Sequence, residues 1–155
     1  MDRHTDVAAA VESTVDSLVS VLEAARLAQS PAVPPAQLRV LTIVAANRQT
    51  NMSRLAETLE VVPSSASRLC DRLEATGLLR RVPDPRDRRE VRLMITPSAR
   101  RLLDQLRESR RRALGDVLGK MEPAARQELV RALEAFAEAA RRAPGEGADQ
   151  DRRTA

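Results

Sequence analysis

The apolar residues in the first third of the chain follow two helical patterns that a proline-rich segment separates. Residues 7–28 carry an apolar stripe with spacings of four, three, four and three, which is typical of a helix that packs against another helix. The stripe consists of Val11, Val15, Leu18, Leu22 and Ala25. Three prolines in residues 30–35 cannot continue this helix, so a second helix is predicted from about residue 36 to residue 46. Its inward side chains would be Leu38, Leu41, Ile43 and Val44.

The next segment predicts two short helices joined by a tight turn. Residues 47–52 are predicted to form a loop with at most a very short strand, and Ser53 is a suitable N-cap for the first helix. Its buried side chains would be Leu55, Ala56 and Leu59. Pro63 suits the first position of the second helix, residues 64–76, and Gly77 suits its end. Two short helices joined by about three residues are typical of a helix-turn-helix.

A hairpin and two long helices complete the pattern. Residues 78–82 and 90–95 are predicted to be strands, because Val91, Leu93 and Ile95 alternate with Arg92 and Met94 in the second of them. Thr96 and Pro97 form an N-cap and first-turn pair that opens a helix to about residue 120, and Pro123 opens another to about residue 142. The last helix has an apolar face made of Leu129, Val130, Leu133, Phe136 and Ala137.

The predicted fold is mostly α with a small β-hairpin wing, that is, a winged helix-turn-helix flanked by N- and C-terminal helices. The expected regions are an N-terminal helix and linker in residues 1–34, the winged helix-turn-helix in 35–97, C-terminal helices in 98–142 and a tail in 143–155. The tail has no apolar side chains to bury beyond a few small ones, and it is predicted to be disordered.

The length and composition of the chain are typical of about one globular domain. Its 155 residues are about one domain's worth, of which 43% are hydrophobic and 31% charged. Phe136 is the only aromatic residue, so the core must consist of aliphatic side chains. The single Cys70 cannot form an intramolecular disulfide, and neither a secretory leader pattern nor a membrane-spanning apolar run is present. These features predict a cytoplasmic protein.

The charge is unevenly distributed along the chain. The net charge is +4, but residues 48–101 hold 12 Arg against 7 Asp and Glu, so the remainder is close to neutral. A local basic excess is expected of a nucleic-acid-binding protein, because binding neutralises phosphates and releases counterions. A solvated arginine-rich surface is the alternative, since 25 of the 26 basic residues are Arg.

Few residues offer catalytic or metal-binding chemistry. His4 is the only histidine, no His, Cys and carboxylate cluster has the spacing of metal ligands, and no glycine-rich loop would cradle a phosphate. We therefore expect no enzymatic activity, no metal and no cofactor. Cys70 lies on the predicted apolar side of its helix, which favours a buried structural cysteine over a redox switch.

The helix at residues 64–76 has one apolar and one polar side. At about 100 degrees per residue, the apolar side gathers Ala66, Leu69, Cys70 and Leu73. The other side presents hydroxyl and guanidinium groups from Ser64, Ser65, Ser67, Arg68 and Arg72. Small hydroxyl side chains allow close approach to a major groove, where an arginine can donate two hydrogen bonds to a guanine. An ordinary amphipathic surface helix is the alternative interpretation.

The predicted hairpin tip adds a second basic element. It contains three arginines within four residues, together with one aspartate: Arg86, Asp87, Arg88 and Arg89. A thin charged loop can enter a minor groove, where the negative potential favours arginine. An exposed charged turn is the alternative.

The order of these elements and several short motifs resemble the MarR family of winged helix-turn-helix transcriptional regulators. The motifs are LAETL at residues 55–59, SRLCDRLEATGLLRR at 67–81, DPRDRR at 84–89 and LMITP at 93–97. The resemblance covers about residues 5–142, with specific motifs only in 53–97. The sequence departs from the family pattern at Glu60, where the turn often has Gly, and at Val62, where a Ser or Thr would cap the second helix.

The resemblance implies roles for the polar residues. Arg89 would enter the minor groove with Asp87 holding it by a charge-assisted hydrogen bond, and Arg86 and Arg88 would be auxiliary contacts of a wing at residues 83–90. The polar side of helix 64–76 would lie in the major groove as the recognition helix. Members are usually homodimers joined by their terminal helices, and a two-fold dimer would bind a pseudo-palindromic operator with half-sites about 34 Å apart. The dimerisation residues would be Val11, Val15, Leu18, Leu22, Leu129, Leu133 and Phe136.

The resemblance also implies a repressor, and many relatives are released from DNA by small phenolic or other anionic ligands. With Phe136 as the only aromatic residue, an aromatic-lined pocket would be poorly supplied, so the sequence leaves the small-molecule effector open. The alternative function is a winged-helix adaptor that binds a protein without specific DNA binding. The outward Arg68 and the arginine-rich wing favour DNA.

Overall fold

Six helices and one two-stranded antiparallel sheet make up the described part of the chain, in a computed structural model that describes residues 3–28, 32–47, 49–85 and 90–142. In chain order the elements are α1 (Arg3–Leu27), α2 (Pro35–Ala46), α3 (Met52–Leu59), α4 (Pro63–Ala75), β1 (Leu79–Pro83), β2 (Val91–Ile95), α5 (Pro97–Leu118) and α6 (Pro123–Arg142). The predicted class, mostly α with a small β-hairpin, is confirmed. The tail predicted for residues 143–155 lies outside the described residues.

Contacts divide the chain into two compact units, Met1–Leu114 and Gly115–Ala155. The first unit contains α1 to α4, the hairpin and most of α5, and the second contains α6. All elements of the predicted winged helix-turn-helix therefore belong to the first unit.

The core of the first unit joins the helix-turn-helix to the hairpin. Five leucines are fully buried, one from each of α2, α3, α4, β1 and β2: Leu41, Leu55, Leu73, Leu79 and Leu93. The inward side chains predicted for α2 are buried, except for the half-buried Ile43. Val40 is also fully buried, although the helical spacing did not select it, because α2 packs against α3, α4 and β2.

Helix α3 begins earlier than the sequence predicts. Its N-cap is Asn51, whose Oδ1 accepts a hydrogen bond from the backbone N–H of Arg54 at 2.9 Å. The prediction of Ser53 as the N-cap is therefore wrong, since Ser53 lies inside the helix. The physical reason is that Asn51 pairs with Arg92 of β2 in an isolated bridge, which holds its backbone extended (φ −102°, ψ 177°) just before the helix starts.

The turn between α3 and α4 contains a left-handed residue, Glu60 (φ 56°, ψ 41°). The N–H of Glu60 donates to the carbonyl of Glu57 at 3.0 Å, and the N–H of Val61 donates to the carbonyl of Ala56 at 3.1 Å. Glycine adopts this conformation at the lowest cost, which is why the turn calls for Gly at this position. Here the hydrogen bonds and the packing of the two helices hold a non-glycine residue in it.

We expect the Val62→Ser variant to be more stable than the wild-type protein. Val62 is the N-cap of α4 and has the extended backbone of that position, but its side chain offers no acceptor to the first-turn N–H groups. A serine there should stabilise the protein by about 1 kcal/mol, and the 62% exposure of Val62 means that little packing is lost. Unfolding by denaturant measures the gain, with Val61→Ser as a matched control outside the cap. Equal denaturation midpoints for Val62→Ser and Val61→Ser would contradict the claim that α4 lacks a side-chain cap.

The hairpin is anchored along the free edge of β2. β1 and β2 pair from Leu79 opposite Ile95 to Pro83 opposite Val91. On the free side of β2, the N–H of Leu93 donates to the carbonyl of Thr50 at 2.9 Å. The very short strand expected in residues 47–52 is thus reduced to one bridge and one hydrogen bond, which tie the start of α3 to the hairpin.

The predicted N-cap of α5 is confirmed. Thr96 Oγ1 accepts from the N–H of Ala99 at 3.2 Å and donates to the carbonyl of Gly77 at 2.7 Å. Gly77 has a left-handed backbone (φ 71°) just after the end of α4, as predicted. One threonine therefore connects the end of α4 to the start of α5.

Two helices carry apolar side chains that remain exposed within their own units. In α6 no residue is buried, and the predicted stripe is between 38% and 66% exposed at Leu129, Val130, Leu133 and Phe136. In α1 the exposed large apolar side chains are Val7, Val11, Val15, Val19 and Leu27. Leu18 and Leu22 are half-buried. Apolar stripes of this extent usually mark an interaction surface.

Candidate nucleic-acid interface

The two sides of α4 differ in burial as the sequence predicts. The inward side chains are Ala66, Cys70 and Leu73, which are buried, and Leu69, which is half-buried. The outward side chains are Ser64, Arg68 and Arg72, which are exposed, and Ser65 and Ser67, which are half-buried. The structure therefore brings all five predicted recognition residues to one side of a single helix.

The guanidinium groups of Arg68 and Arg72 point away from the core. Within the described ranges neither side chain forms an ion pair or a hydrogen bond, whereas Arg81 and Arg92 of the hairpin each form an ion pair. Serine hydroxyls lie in the first turn of the same helix, where the helix dipole is positive. This arrangement can accept an anionic, acceptor-rich ligand such as a nucleic-acid groove.

A half-buried arginine on β1 joins the hairpin to α4. Arg81 Nη2 lies 2.7 Å from Asp71 Oδ1, and Arg81 Nη1 lies 2.6 Å from Glu74 Oε2. The backbone N–H of Arg81 also donates to Glu74 Oε1 at 3.3 Å, and Nη2 reaches the carbonyl of Ser67 at 3.5 Å. Burial opposes the charge of Arg81, but its hydrogen bonds to the two carboxylates raise its pKa above the usual value. We call this group of three side chains the Arg81 bridge.

The base of the wing is closed by contacts on both strands. The N–H of Asp84 donates to the carbonyl of Glu90 at 2.9 Å, and Arg92 Nε lies 3.3 Å from Asp84 Oδ2. Asn51 Nδ2 donates to Glu90 Oε2 at 3.3 Å, which links the N-cap of α3 to the same region. The predicted wing residues Arg86, Asp87, Arg88 and Arg89 lie outside the described residues, and their roles stay predictions.

Comparisons with known proteins agree with this architecture. The MarR family model matches residues 33–90, which run from just before α2 into the wing. The crystal structure of RV1404 from Mycobacterium tuberculosis is 32% identical to this chain, covers 90% of it and 95% of that chain, and superposes with a TM-score of 0.81. This chain belongs to the MarR family of transcriptional regulators.

Two further relatives extend the comparison of this MarR-family chain. The HTH-type transcriptional repressor MdtR of Bacillus subtilis (strain 168) is 39% identical over 64 residues, which are 41% of each protein. The match therefore spans about two fifths of that curated relative. A MarR family protein from Bacillus stearothermophilus has the same fold, with a TM-score of 0.74 at 20% identity over 89% of this chain and 96% of that one.

Sequence analysis of this MarR-family chain missed the Arg81 bridge. A signal was present, because Leu79 and Arg81 occupy the same face of β1, and that face is turned to the core. An arginine on the apolar face of a strand requires acceptors, and Asp71 and Glu74 are spaced by three residues on the preceding helix. Only the packing of β1 against α4 shows that these carboxylates are the acceptors.

We expect the thiol of Cys70 to be unreactive in the folded protein. Cys70 is fully buried, and burial raises its pKa to about 11 despite the nearby Arg81. A rise of about two pKa units lowers the thiolate fraction roughly a hundredfold near neutral pH, and burial also blocks access. A disulfide reagent at about pH 8 should label the protein only after unfolding in guanidinium.

A Ser64→Cys variant in a Cys70→Ala background provides the matched positive control, because Ser64 is exposed on the same helix. Rapid labelling of native wild-type protein would contradict a structural cysteine. The pH dependence has a defined sign: the unfolded thiol ionises near pH 9.0 and the folded one near 11. The contribution of Cys70 to stability should therefore be present below pH 9 and fall away as the pH rises between these values.

A cavity of about 870 Å³ opens in the first unit between the end of α1, the start of α2, the α4–β1 connection and α5. Its volume is in the range of small-molecule sites. The walls are apolar at Val33, Leu78 and Leu102, and basic at Arg101 and Arg112. The described residues that line it include no acidic side chain.

Two other classes of site were sought in the described part of the chain. Residues 3–28, 32–47, 49–85 and 90–142 contain no group of three or more His, Cys, Asp and Glu that could hold a metal ion. None of the described helices combines the length and the apolar character needed to cross a bilayer.

Proposed function

We propose that this MarR-family chain is a regulator rather than an enzyme, and that it binds duplex DNA sequence-specifically in the cytoplasm and represses its target genes. The observation that carries the proposal is the outward side of α4, where Arg68 and Arg72, which have no ion pair among the described residues, lie among small hydroxyl groups. An arginine can donate two hydrogen bonds to a guanine in the major groove. The small side chains of Ser64 and Ser65 let the N-terminus of the helix approach closely.

The wing at residues 83–90 supplies the second contact in this proposal. Arg89 enters the minor groove and Asp87 orients it, while Arg86 and Arg88 contact the adjacent backbone. The closed base of the wing supports this role, because Asp84 and Glu90, which flank the tip, are bonded to each other, to Arg92 and to Asn51.

The binding species is proposed to be a homodimer. The exposed apolar stripes of α1 and α6 support it, because two copies can bury these side chains against each other. A two-fold dimer presents two copies of α4 to successive major grooves about 34 Å apart, so the operator is expected to be pseudo-palindromic.

Binding to DNA from the chain's own upstream region, measured against salt concentration, tests the proposal. Affinity should fall steeply with salt, because several phosphate contacts release counterions, and a footprint should cover two related half-sites. Binding with no preference over random duplex would reject sequence specificity. The alternative of a winged-helix adaptor predicts no binding even at low salt.

Repression is tested in cells. Loss of the gene should raise transcription from the footprinted promoter, and expression of the intact chain should lower it again. A fall in transcription on loss of the gene would identify an activator instead.

The arginine-containing cavity is proposed to bind a small anionic effector that weakens DNA binding. Arg101 and Arg112 give it a positive wall, and α5 and the α4–β1 connection border it, so a ligand there contacts the element that follows the recognition helix. Salicylate, a phenolic anion, should bind measurably by calorimetry and release the operator, whereas the uncharged salicylamide should do neither. Equal binding of the two compounds would reject an anion site.

A further inference from the structure

We propose that Arg81 is a positioning residue that holds the wing in a fixed direction relative to the recognition helix α4. The inference rests on the proposed DNA binding by α4 and the wing. Arg81 is not proposed as a DNA contact, because its guanidinium group is turned toward α4 and both of its terminal nitrogens are already bonded there. It would act on DNA binding only through the placement of the hairpin.

The geometry of the Arg81 bridge is suited to fixing an orientation. Two carboxylates, from Asp71 and Glu74, hold the planar guanidinium at 2.7 Å and 2.6 Å, and Glu74 also accepts the backbone N–H of Arg81. The Arg81 side chain is only 25% exposed. Charge-assisted hydrogen bonds from a planar fork to two acceptors restrain direction as well as distance, which a single lysine ammonium cannot do.

The position of the bridge along the hairpin explains why it matters. A two-stranded hairpin is marginally stable by itself, so the direction of its tip depends on contacts along its length. The inward side chains of β1 are Leu79, which is in the core, and then Arg81, after which the strand leaves the core at exposed Pro83. Among the described residues, Arg81 thus makes the last polar contact from β1 to α4 before the wing begins.

The charges of the bridge provide a test, because two explanations predict opposite changes in DNA affinity when they are removed. Asp71 and Glu74 lie on the helix proposed to enter the DNA groove, where negative charge opposes binding to a polyanion. If electrostatics alone mattered, the Asp71→Asn/Glu74→Gln double variant would bind DNA more tightly. If the bridge positions the wing, the same variant should bind more weakly.

We expect Asp71→Asn/Glu74→Gln to lose at least about fivefold in operator affinity, the equivalent of about one lost groove contact. The matched control is Glu57→Gln/Glu60→Gln, which removes two negative charges from the same helix-turn-helix at side chains that do not bond Arg81. The control should bind as tightly as the wild type or more tightly. Arg81→Lys keeps the positive charge but should still bind the operator more weakly than the wild type. Unfolding curves confirm that each variant is folded.

A double-mutant cycle with the wing shows whether the bridge acts through it. In an Arg89→Ala background the Asp71→Asn/Glu74→Gln substitutions should cost clearly less affinity than in the wild type, because the wing contact is already lost. Equal costs in the two backgrounds, or binding of the double variant at or above the wild-type level, would overturn the proposal.

Hydrogen exchange of the free protein measures how firmly the bridge holds the hairpin, independently of DNA binding. Backbone amides of β1 and β2 should exchange faster in Asp71→Asn/Glu74→Gln than in the wild type, with no change in Glu57→Gln/Glu60→Gln. A wild-type protein that binds no DNA would refute the proposed function but not a role of Arg81 in fixing the hairpin. Unchanged exchange in the double variant would refute that role.

Discussion

Replacement of Phe136 by aspartate should convert the proposed homodimer into a monomer and abolish the proposed operator binding at concentrations where the wild type binds. Phe136 is the largest apolar side chain of α6 and the most exposed member of its stripe. Burying such a side chain contributes about 1.5–3 kcal/mol, and a two-fold interface contains two copies. The dimer should therefore be weakened by about 3 kcal/mol or more, which is at least roughly a hundredfold in its dissociation constant.

The matched control is Ala135→Asp, which places the same charge on the opposite side of α6 and should leave the dimer intact. Sedimentation velocity with interference optics measures the assembly state, because the chain contains no Trp or Tyr for detection near 280 nm. A Phe136→Asp protein that stays dimeric at micromolar concentration would show that the stripe of α6 is not the interface.

The Arg68→Ala variant should lose about 1–3 kcal/mol of operator affinity per subunit, so a dimer should bind roughly thirtyfold to more than ten-thousandfold more weakly. Arg68 is exposed on α4 and forms no ion pair or hydrogen bond within the described residues, so the fold should keep its stability. If Arg68 bonds to a base, the loss should be larger on the operator than on random duplex of the same length.

Arg111→Ala is the control, since it removes the same charge from an exposed position on α5. Its effect should be small and equal on operator and random DNA. Equal losses for Arg68→Ala on both duplexes would reassign Arg68 to the phosphate backbone, and no loss at all would remove it from the interface.

The order and type of the elements could be predicted from the sequence because each carries a local signal. The stripes of α4 and α6 follow the helical period, the prolines at 63, 97 and 123 start helices, and Gly77 ends one. Thr96 caps α5 as expected, because a capping hydroxyl acts within four residues of its own position. The recognition face was predictable for the same reason: burial of Ala66, Cys70 and Leu73 on one side leaves the serines and arginines on the other.

Two features could not be predicted from the sequence: the N-cap of α3 and the burial of Val40. Ser53 satisfied the local rule for a cap, but Asn51 took that position because a distant residue, Arg92, paired with it. Val40 lies off the simplest helical stripe and is buried because α2 is surrounded by α3, α4 and β2. Both depend on residues far away in the chain, which periodicity does not register.

The sequence by itself therefore determined the winged helix-turn-helix plan, the polar side of the recognition helix and the apolar stripes proposed for dimerisation, since all three are patterns within one element. Only the tertiary structure decided how the elements are joined: Thr50 to β2, Asn51 to the base of the wing, and Arg81 to Asp71 and Glu74. The physical reason is that a hydrogen bond or ion pair between elements requires two groups within about 3 Å, and that distance exists only after the core has packed.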